Sequence, residues 1–240
     1  MDKLIYTAMT GAERAFHAQQ VHANNLANAD TQGFRADYEV AGSQKVPGYG
    51  YDANLQSQGS SDVVTQRSGA LRETGRDLDV AITGEGYFAV AYGGSEAYTR
   101  AGAIEIDAEG ALTVHGRALL GDGGPIVLPP HRAVAIASDG TISVLPEDGN
   151  AMQDVDRLKL VDGDTAMRKN SDGLLLPRTG GTLEASDTVR VRGRTLEGSN
   201  VRAVEEMVAV MDISRQFELQ MKLYAAADRM TDAGNRLIRE

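Results

Sequence analysis

A chain of 240 residues is long enough for one large domain or two smaller ones with a real core. Its formal net charge of −10 argues against a nucleic-acid binder, which neutralises phosphates with clustered Lys and Arg. With no cysteine, disulfides, thiolate nucleophiles and cysteine-held zinc are excluded, and no run approaches the ~20 apolar residues that span a bilayer.

The N-terminal run MDKLIYTAMTGAERAF lacks the continuous apolar stretch of a cleavable signal peptide, so any export is expected to use a route other than a Sec-type signal. From Ile5 the less polar positions run Ile5, Met9, Ala12, Phe16, Gln19, Ala23 and Leu26, alternating steps of four and three. That spacing predicts a helix with a lengthwise packing seam, and Asp2 can cap its start. The helical rhythm stops in NNLANADTQGF, residues 24–34, where asparagines, a threonine and a glycine mark a boundary. Residues 35–76 are rich in Gly, Ser, Gln, Tyr and Asn with little periodicity, and read as an extended or flexible connector.

The middle, residues 77–192, reads as an antiparallel β-sheet or barrel-like domain without βαβ alternation. LDVAITGEGYFAVAY alternates around Val80, Ile82 and Phe88 to Val90, and Glu109-Gly110 and Asp139-Gly140 are hairpin signals. Residues 193–240 return to a helical pattern predicted over 201–238, about 57 Å long at ~1.5 Å per residue. Its seam is Met207, Val210, Ser214, Phe217, Met221, Tyr224, Asp228, Thr231, Asn235 and Ile238, with Ser199 or Asn200 as N-cap and Glu205 and Glu206 at the positive end of the helix dipole. Both seams carry polar residues where a self-sufficient coiled coil has Leu or Ile. Two readings stand: ordinary amphipathic helices packed on the central domain, or coiled-coil-like helices that order on assembly.

Chemistry finds little footing. GDGGPIVL, residues 121–128, resembles a serine-protease run but has no serine at the nucleophile position, and a glycine-rich turn explains it. His17 and His22 are five apart, off the three- or four-residue spacing of a shared metal face, while His115 and His131 stand alone. DAEG and EDGN lack the rest of a calcium loop. Met207, Met211, Met221 and Met230 suit an adaptable packing surface, and Asp77 and Asp79 flank a strand start. No catalytic, cofactor or metal site emerges, and no cofactor is expected. A secreted β-domain hydrolase with helical arms and an adhesin-like binding module are the other functional classes, and both lack a convergent site.

With these residues in view, NNLANADTQGF resembles the signature of bacterial flagellar rod and hook proteins, Asn-Asn-Leu-Ala-Asn followed by Thr-x-Gly and an aromatic residue. Gln32 stands where many members have proline. LDVAITGEGYFAV, YTRAGAIEIDAEGALTVHGRALLG and LEGSNV are similar to further family stretches in the same order. IYTAMTGA and RQFELQMKL are most similar to proximal-rod members, with distal-rod members the second reading.

The resemblance implies an α+β fold with discontinuous terminal helices that pair, and a self-assembling structural role for motility in the rod of the basal body. It implies export through the flagellar type III apparatus into the periplasmic space without a cleaved signal. Other rod proteins, proximal and distal, are the implied partners, with neither nucleic acid nor membrane insertion. Isolated subunits are expected to be monomeric. The expected assembly stripe is Ile5, Met9, Ala12, Phe16, Leu26, Met207, Val210, Phe217, Met221 and Tyr224. Asn24, Asn25, Leu26, Asn28, Thr31, Gly33 and Phe34 form the expected signature turn, the asparagines satisfying polar groups and Gly33 supplying a permissive backbone.

Overall fold

The computed structural model describes residues 2–45 and 55–239, with side-chain surroundings for 9–38, 64–234 and 236. The chain divides into two compact units. A helical unit gathers residues 1–27, 37–63 and 202–240; a β unit gathers 28–36 and 64–201.

The helical unit contains α1, Asp2–Ala27, and α2, Ala203–Arg239, which pack on each other. Gly11 of α1 lies against Gln220 of α2, and His22 meets Glu206, so the helices run antiparallel. Glu205 and Glu206 occupy the first turn of α2, where their charge complements the helix dipole. The expected caps act differently. The Ser199 hydroxyl accepts only the Val201 N–H, two residues before α2 begins, and Asn200 is buried in the β unit.

The strands Asp37–Lys45 and Leu55–Val64 pair in a two-stranded sheet. This stretch, expected as extended connector, is extended and also hydrogen-bonded. Its Gly, Ser and Gln side chains give no alternation because backbone pairing needs none. Residues 46–54 of the same expected connector lie outside the described residues.

In the β unit the largest sheet among the described residues has five strands in the order Leu160–Val161, Tyr87–Tyr92, Ser95–Thr99, Leu175–Pro177, Met167–Lys169. A three-stranded sheet comprises His131–Ile136, Thr141–Pro146 and Gln153–Arg157. Pairs such as Val80–Thr83 with Arg190–Gly193, and Leu71–Glu73 with Thr195–Glu197, complete the frame. The pairings of the described strands in the β unit are antiparallel. The expected hairpins form at Glu109-Gly110 and Asp139-Gly140. Gly140 takes φ 90°, and its N–H donates to Ala137 while the Ala137 N–H donates to Thr141.

The described strands do not close into a barrel, which corrects the barrel-like expectation. Closure needs a continuous ring of long, evenly tilted strands, whereas many here are two to four residues long and end in glycine turns. The core instead gathers Val80, Ile82, Phe88, Val90, Ile104, Leu112, Leu119, Ile126, Ile142, Val144, Leu158 and Leu160 from several sheets. A second cluster joins Tyr87, Tyr98, Val161, Met167 and Leu175.

Candidate assembly site

The turn after α1 is built residue by residue from the opening motif. Asn25 is buried; its Oδ1 accepts the Asp37 N–H at 2.9 Å and its Nδ2 donates to the Asp37 carbonyl at 3.0 Å. The side-chain amide thus stands in for a peptide group and ties the end of α1 to the strand beginning at Asp37. Asn24 is exposed and Leu26 half-buried.

Within the β unit, Asn28 accepts from Thr31 twice, through its carbonyl from the backbone N–H and through Oδ1 from the hydroxyl. Gly33 takes φ 65° and donates its N–H to the Glu197 carbonyl. A Cβ there would sit 2.2 Å from the Ala101 nitrogen, so glycine is needed for both conformation and space. Phe34 lies under the Lys169 ammonium, 4.0 Å from the ring centroid.

Behind this turn lies a buried charge cluster that sequence reasoning missed. Glu197 Oε2 accepts from Arg100 at 3.0 Å, while Oε1 lies 3.0 Å from Arg35 Nη2 and accepts the Gly69 N–H. Arg35 also donates to the carbonyls of Gln66 and Arg67, and Arg100 to those of Ile82 and Gly84. The Arg35 Nη2 contact lacks hydrogen-bond alignment, and Nε of both arginines is buried without a partner. Two guanidiniums therefore share one carboxylate and a set of carbonyls. Burial pulls the Arg100 guanidinium below its ordinary pKa, and the Glu197 charge opposes that shift. Burial raises the Tyr87 phenol, over whose ring Arg100 is stacked at 5.6 Å.

Asn200 binds the same region together. Its Oδ1 accepts the Ala36 N–H at 2.7 Å and its Nδ2 donates to the Arg67 carbonyl at 2.8 Å. The motif pieces TQGF, YTR and LEGSNV do mark these places. Nothing local pairs Arg100 with Glu197, which are 97 residues apart.

The helical faces divide differently from the expected seam. Ala15, Ala18, Val21 and Asn25 are buried on α1, whereas Met9 and Phe16 are 54% and 58% exposed. At about 100° per residue Met9 and Phe16 fall opposite the buried row of α1, whereas half-buried Leu26 borders it. Ala12 is half-buried, and the Ile5 side chain lies outside the described residues. On α2, Met207, Phe217, Met221 and Tyr224 are exposed and Val210 is half-buried. A further exposed row, Val204, Val208, Met211, Leu219, Leu223 and Met230, was not anticipated. Its steps of four, three, eight, four and seven residues keep it on one side of a helix, but the eight-residue gap between Met211 and Leu219 hides the pattern in the sequence.

The chemical candidates resolve into structure. Asp77 pairs with Arg194, and Asp79 with Arg76. His131 Nδ1 donates to the Pro129 carbonyl. GDGGPIVL forms the tight pair Leu120–Gly121 and Gly124–Pro125. A recess of about 310 Å³ beside it is bounded by Glu96, Asp122, Lys159 and Glu184, with Lys159 held by Glu96 at 2.7 Å. Among the described residues no three His, Cys, Asp or Glu side chains gather as a metal site, and no helix is long and apolar enough to cross a membrane.

Three family descriptions match the chain in order: "Flagella basal body rod protein" over residues 5–35, "Flagellar hook protein FlgE/F/G D1 domain" over 81–144, and "Flagellar basal body rod FlgEFG protein C-terminal" over 192–237. The flagellar basal-body rod protein FlgF of Escherichia coli K12 is 39% identical over 99% of both chains. This chain belongs to the flagellar basal-body rod protein family, in its FlgF branch. FlgF of Salmonella typhimurium is 38% identical over the same share, and the rod protein FlgG of Bacillus subtilis is 30% identical over 96% of this chain and 97% of its own. The three matched stretches of this rod-family chain include the signature turn, Arg100 and Glu197, and most of both helices.

Proposed function

We propose that the chain is a structural subunit of the flagellar basal-body rod, in its proximal part, serving flagellum-dependent motility and performing no catalysis. The observation that carries this reading is the exposure of large apolar side chains along both α1 and α2. A helix apolar on several sides gains stability when neighbours cover it. In the rod the stripe of Ile5, Met9, Ala12, Phe16, Leu26, Met207, Val210, Phe217, Met221 and Tyr224 packs, coiled-coil-like, on terminal helices of neighbouring subunits. Those neighbours are copies of this chain and other rod proteins. The domain plan proposed from the sequence goes with this: residues 1–34 and 193–240 assemble, 77–192 is the β body, and 35–76 connects.

The subunit reaches the periplasmic rod through the flagellar type III apparatus without losing a signal peptide. A place in the distal rod is the second reading, favoured by the FlgG relative. The test is complementation of a strain lacking this gene: Phe217→Asp is expected to abolish swimming and remove the chain from purified basal bodies while the β unit stays folded. Normal incorporation of that variant would overturn the reading.

A further inference from the structure

The eight methionines of the chain are unevenly placed. Met9, Met207, Met211, Met221 and Met230 lie on α1 and α2 with 45% to 59% of their surface exposed. Met167 is buried in the smaller core cluster of the β unit, and Met152 is exposed in the β unit between paired strands. No other residue on the helices is as readily oxidised, since the chain has neither cysteine nor tryptophan.

An exposed thioether reacts with a peroxide in one step. The sulfur lone pair attacks a peroxide oxygen, the O–O bond breaks, and the sulfur loses two electrons as the S=O bond forms. The remaining oxygen leaves as water after taking up the proton. The product is polar and chiral in place of an adaptable apolar group, and such a change disrupts methionine-rich interfaces.

Resting on the assembly role given above, we propose that Met9, Met207, Met211, Met221 and Met230 form an oxidation-sensitive site. Conversion of these side chains to sulfoxide by a peroxide bars the unassembled subunit from packing. Met207 and Met221 belong to the assembly stripe, and Met211 and Met230 to the second exposed row, so one oxidant acts on two faces of α2. Met9 extends the effect to α1. Oxidation does not touch the β-unit core, because Met167 is covered; the oxidised chain is folded and incompetent to assemble.

The probe is hydrogen peroxide. Applied to the purified full chain and read by peptide mass spectrometry, it is expected to oxidise the five helical methionines at a rate near that of Met152 and about 10-fold or more faster than Met167. Helical methionines as slow as Met167 would overturn the proposal. In cells, a peroxide pulse before rod assembly is followed by comparison of the chain in purified basal bodies with the unassembled chain of the same culture. Sulfoxide at the helical methionines is expected to be depleted several-fold in the incorporated pool, with Met152 equal in both; equal levels at all sites would overturn the proposal.

Replacing Met207, Met211 and Met221 by Leu is expected to keep swimming, and by Gln, a polar side chain of similar length, to lose it. Swimming with both sets would sink the proposal while leaving the assembly role to be judged by Phe217→Asp. Incorporation of Phe217→Asp would instead remove the assembly role itself.

Discussion

The two units hide their apolar side chains by opposite strategies. In the β unit Val80, Phe88, Ile104, Leu112 and Ile142 are almost wholly withdrawn from water, and even the charged Arg35, Arg100 and Glu197 lie inside with partners from three distant stretches. In the helical unit the buried apolar positions include the small Ala15, Ala18 and Ala227, and Gly11 lies against Gln220, while Phe16, Met211, Leu219 and Leu223 stay in solvent. Burying a large apolar side chain is worth roughly 1.5–3 kcal/mol, and the helical pair leaves much of that unrealised. The β unit satisfies itself; the helices hold back their larger contacts. A closed core and open apolar faces are thus assigned to different parts of one chain.

The strongest way to break this contrast is to unbalance the β unit from inside. Glu197→Gln leaves two buried guanidiniums sharing no carboxylate, and removal of one partner from a buried ionic group costs about 3–5 kcal/mol. Urea unfolding followed by intrinsic tyrosine fluorescence is expected to show that loss, with α-helical circular dichroism changing less than the β-unit signal. A stability within about 0.5 kcal/mol of the parent would show that the cluster does not hold the unit.

Titration probes the same interior by another route. Burial pushes the Tyr98 phenol up to about 12, its hydrogen bond from Leu183 opposes the shift, and the Glu96 carboxylate adds to it. The folded state therefore holds this proton more tightly than the unfolded chain, whose phenols titrate near 10. The stabilisation is fully present below pH 10 and is lost as the pH rises towards 12. Thermal melts across that window are expected to fall for the parent and to flatten for Tyr98→Phe; an equal decline in both would exclude Tyr98 as the cause.

How much of this was legible from the sequence follows from the range of the interactions. Helix α2 was expected over 201–238 and spans Ala203–Arg239, because its periodicity is local and uninterrupted by proline. The Asp139-Gly140 hairpin was equally readable, since a two-residue turn carries its own geometry. Which helix face meets its partner was not. The periodicity of Met9, Ala12 and Phe16 locates a stripe but gives no sign of what covers it, and the positions that are buried or closely approached include alanines and a glycine that no hydrophobic pattern highlights. Asn200 looked like an N-cap by type and position, yet the β unit claims its amide. Arg35, Arg100 and Glu197 are single charges whose meaning exists only after folding.

Smaller perturbations sharpen the helical side of the contrast. Asn25→Ala leaves the Asp37 N–H and carbonyl without their amide partner, at about 1–3 kcal/mol. Hydrogen exchange is expected to quicken at the end of α1 and at the Asp37–Lys45 strand; unchanged protection there would make the amide pair incidental. Gly11→Ala is expected to have the smallest effect. Its new Cβ would come 2.9 Å from Gln220 Nε2, the movable end of a side chain, while alanine favours the helix by up to about 1 kcal/mol. A helicity loss comparable to that of Asn25→Ala would mean that the two helices are more tightly fitted at Gly11 than the mobility of Gln220 allows.

The adjacency of residues 33–36 and 197–200 has a mechanical consequence. The Gly33 N–H donates to Glu197, the Asn200 N–H to Phe34, and the Asn200 amide grips Ala36 and Arg67. Tension on either end of the β unit is therefore borne by several short bonds between neighbouring passes of the chain before any strand is peeled. A pull applied at residue 28 or 201 thus meets a riveted seam first.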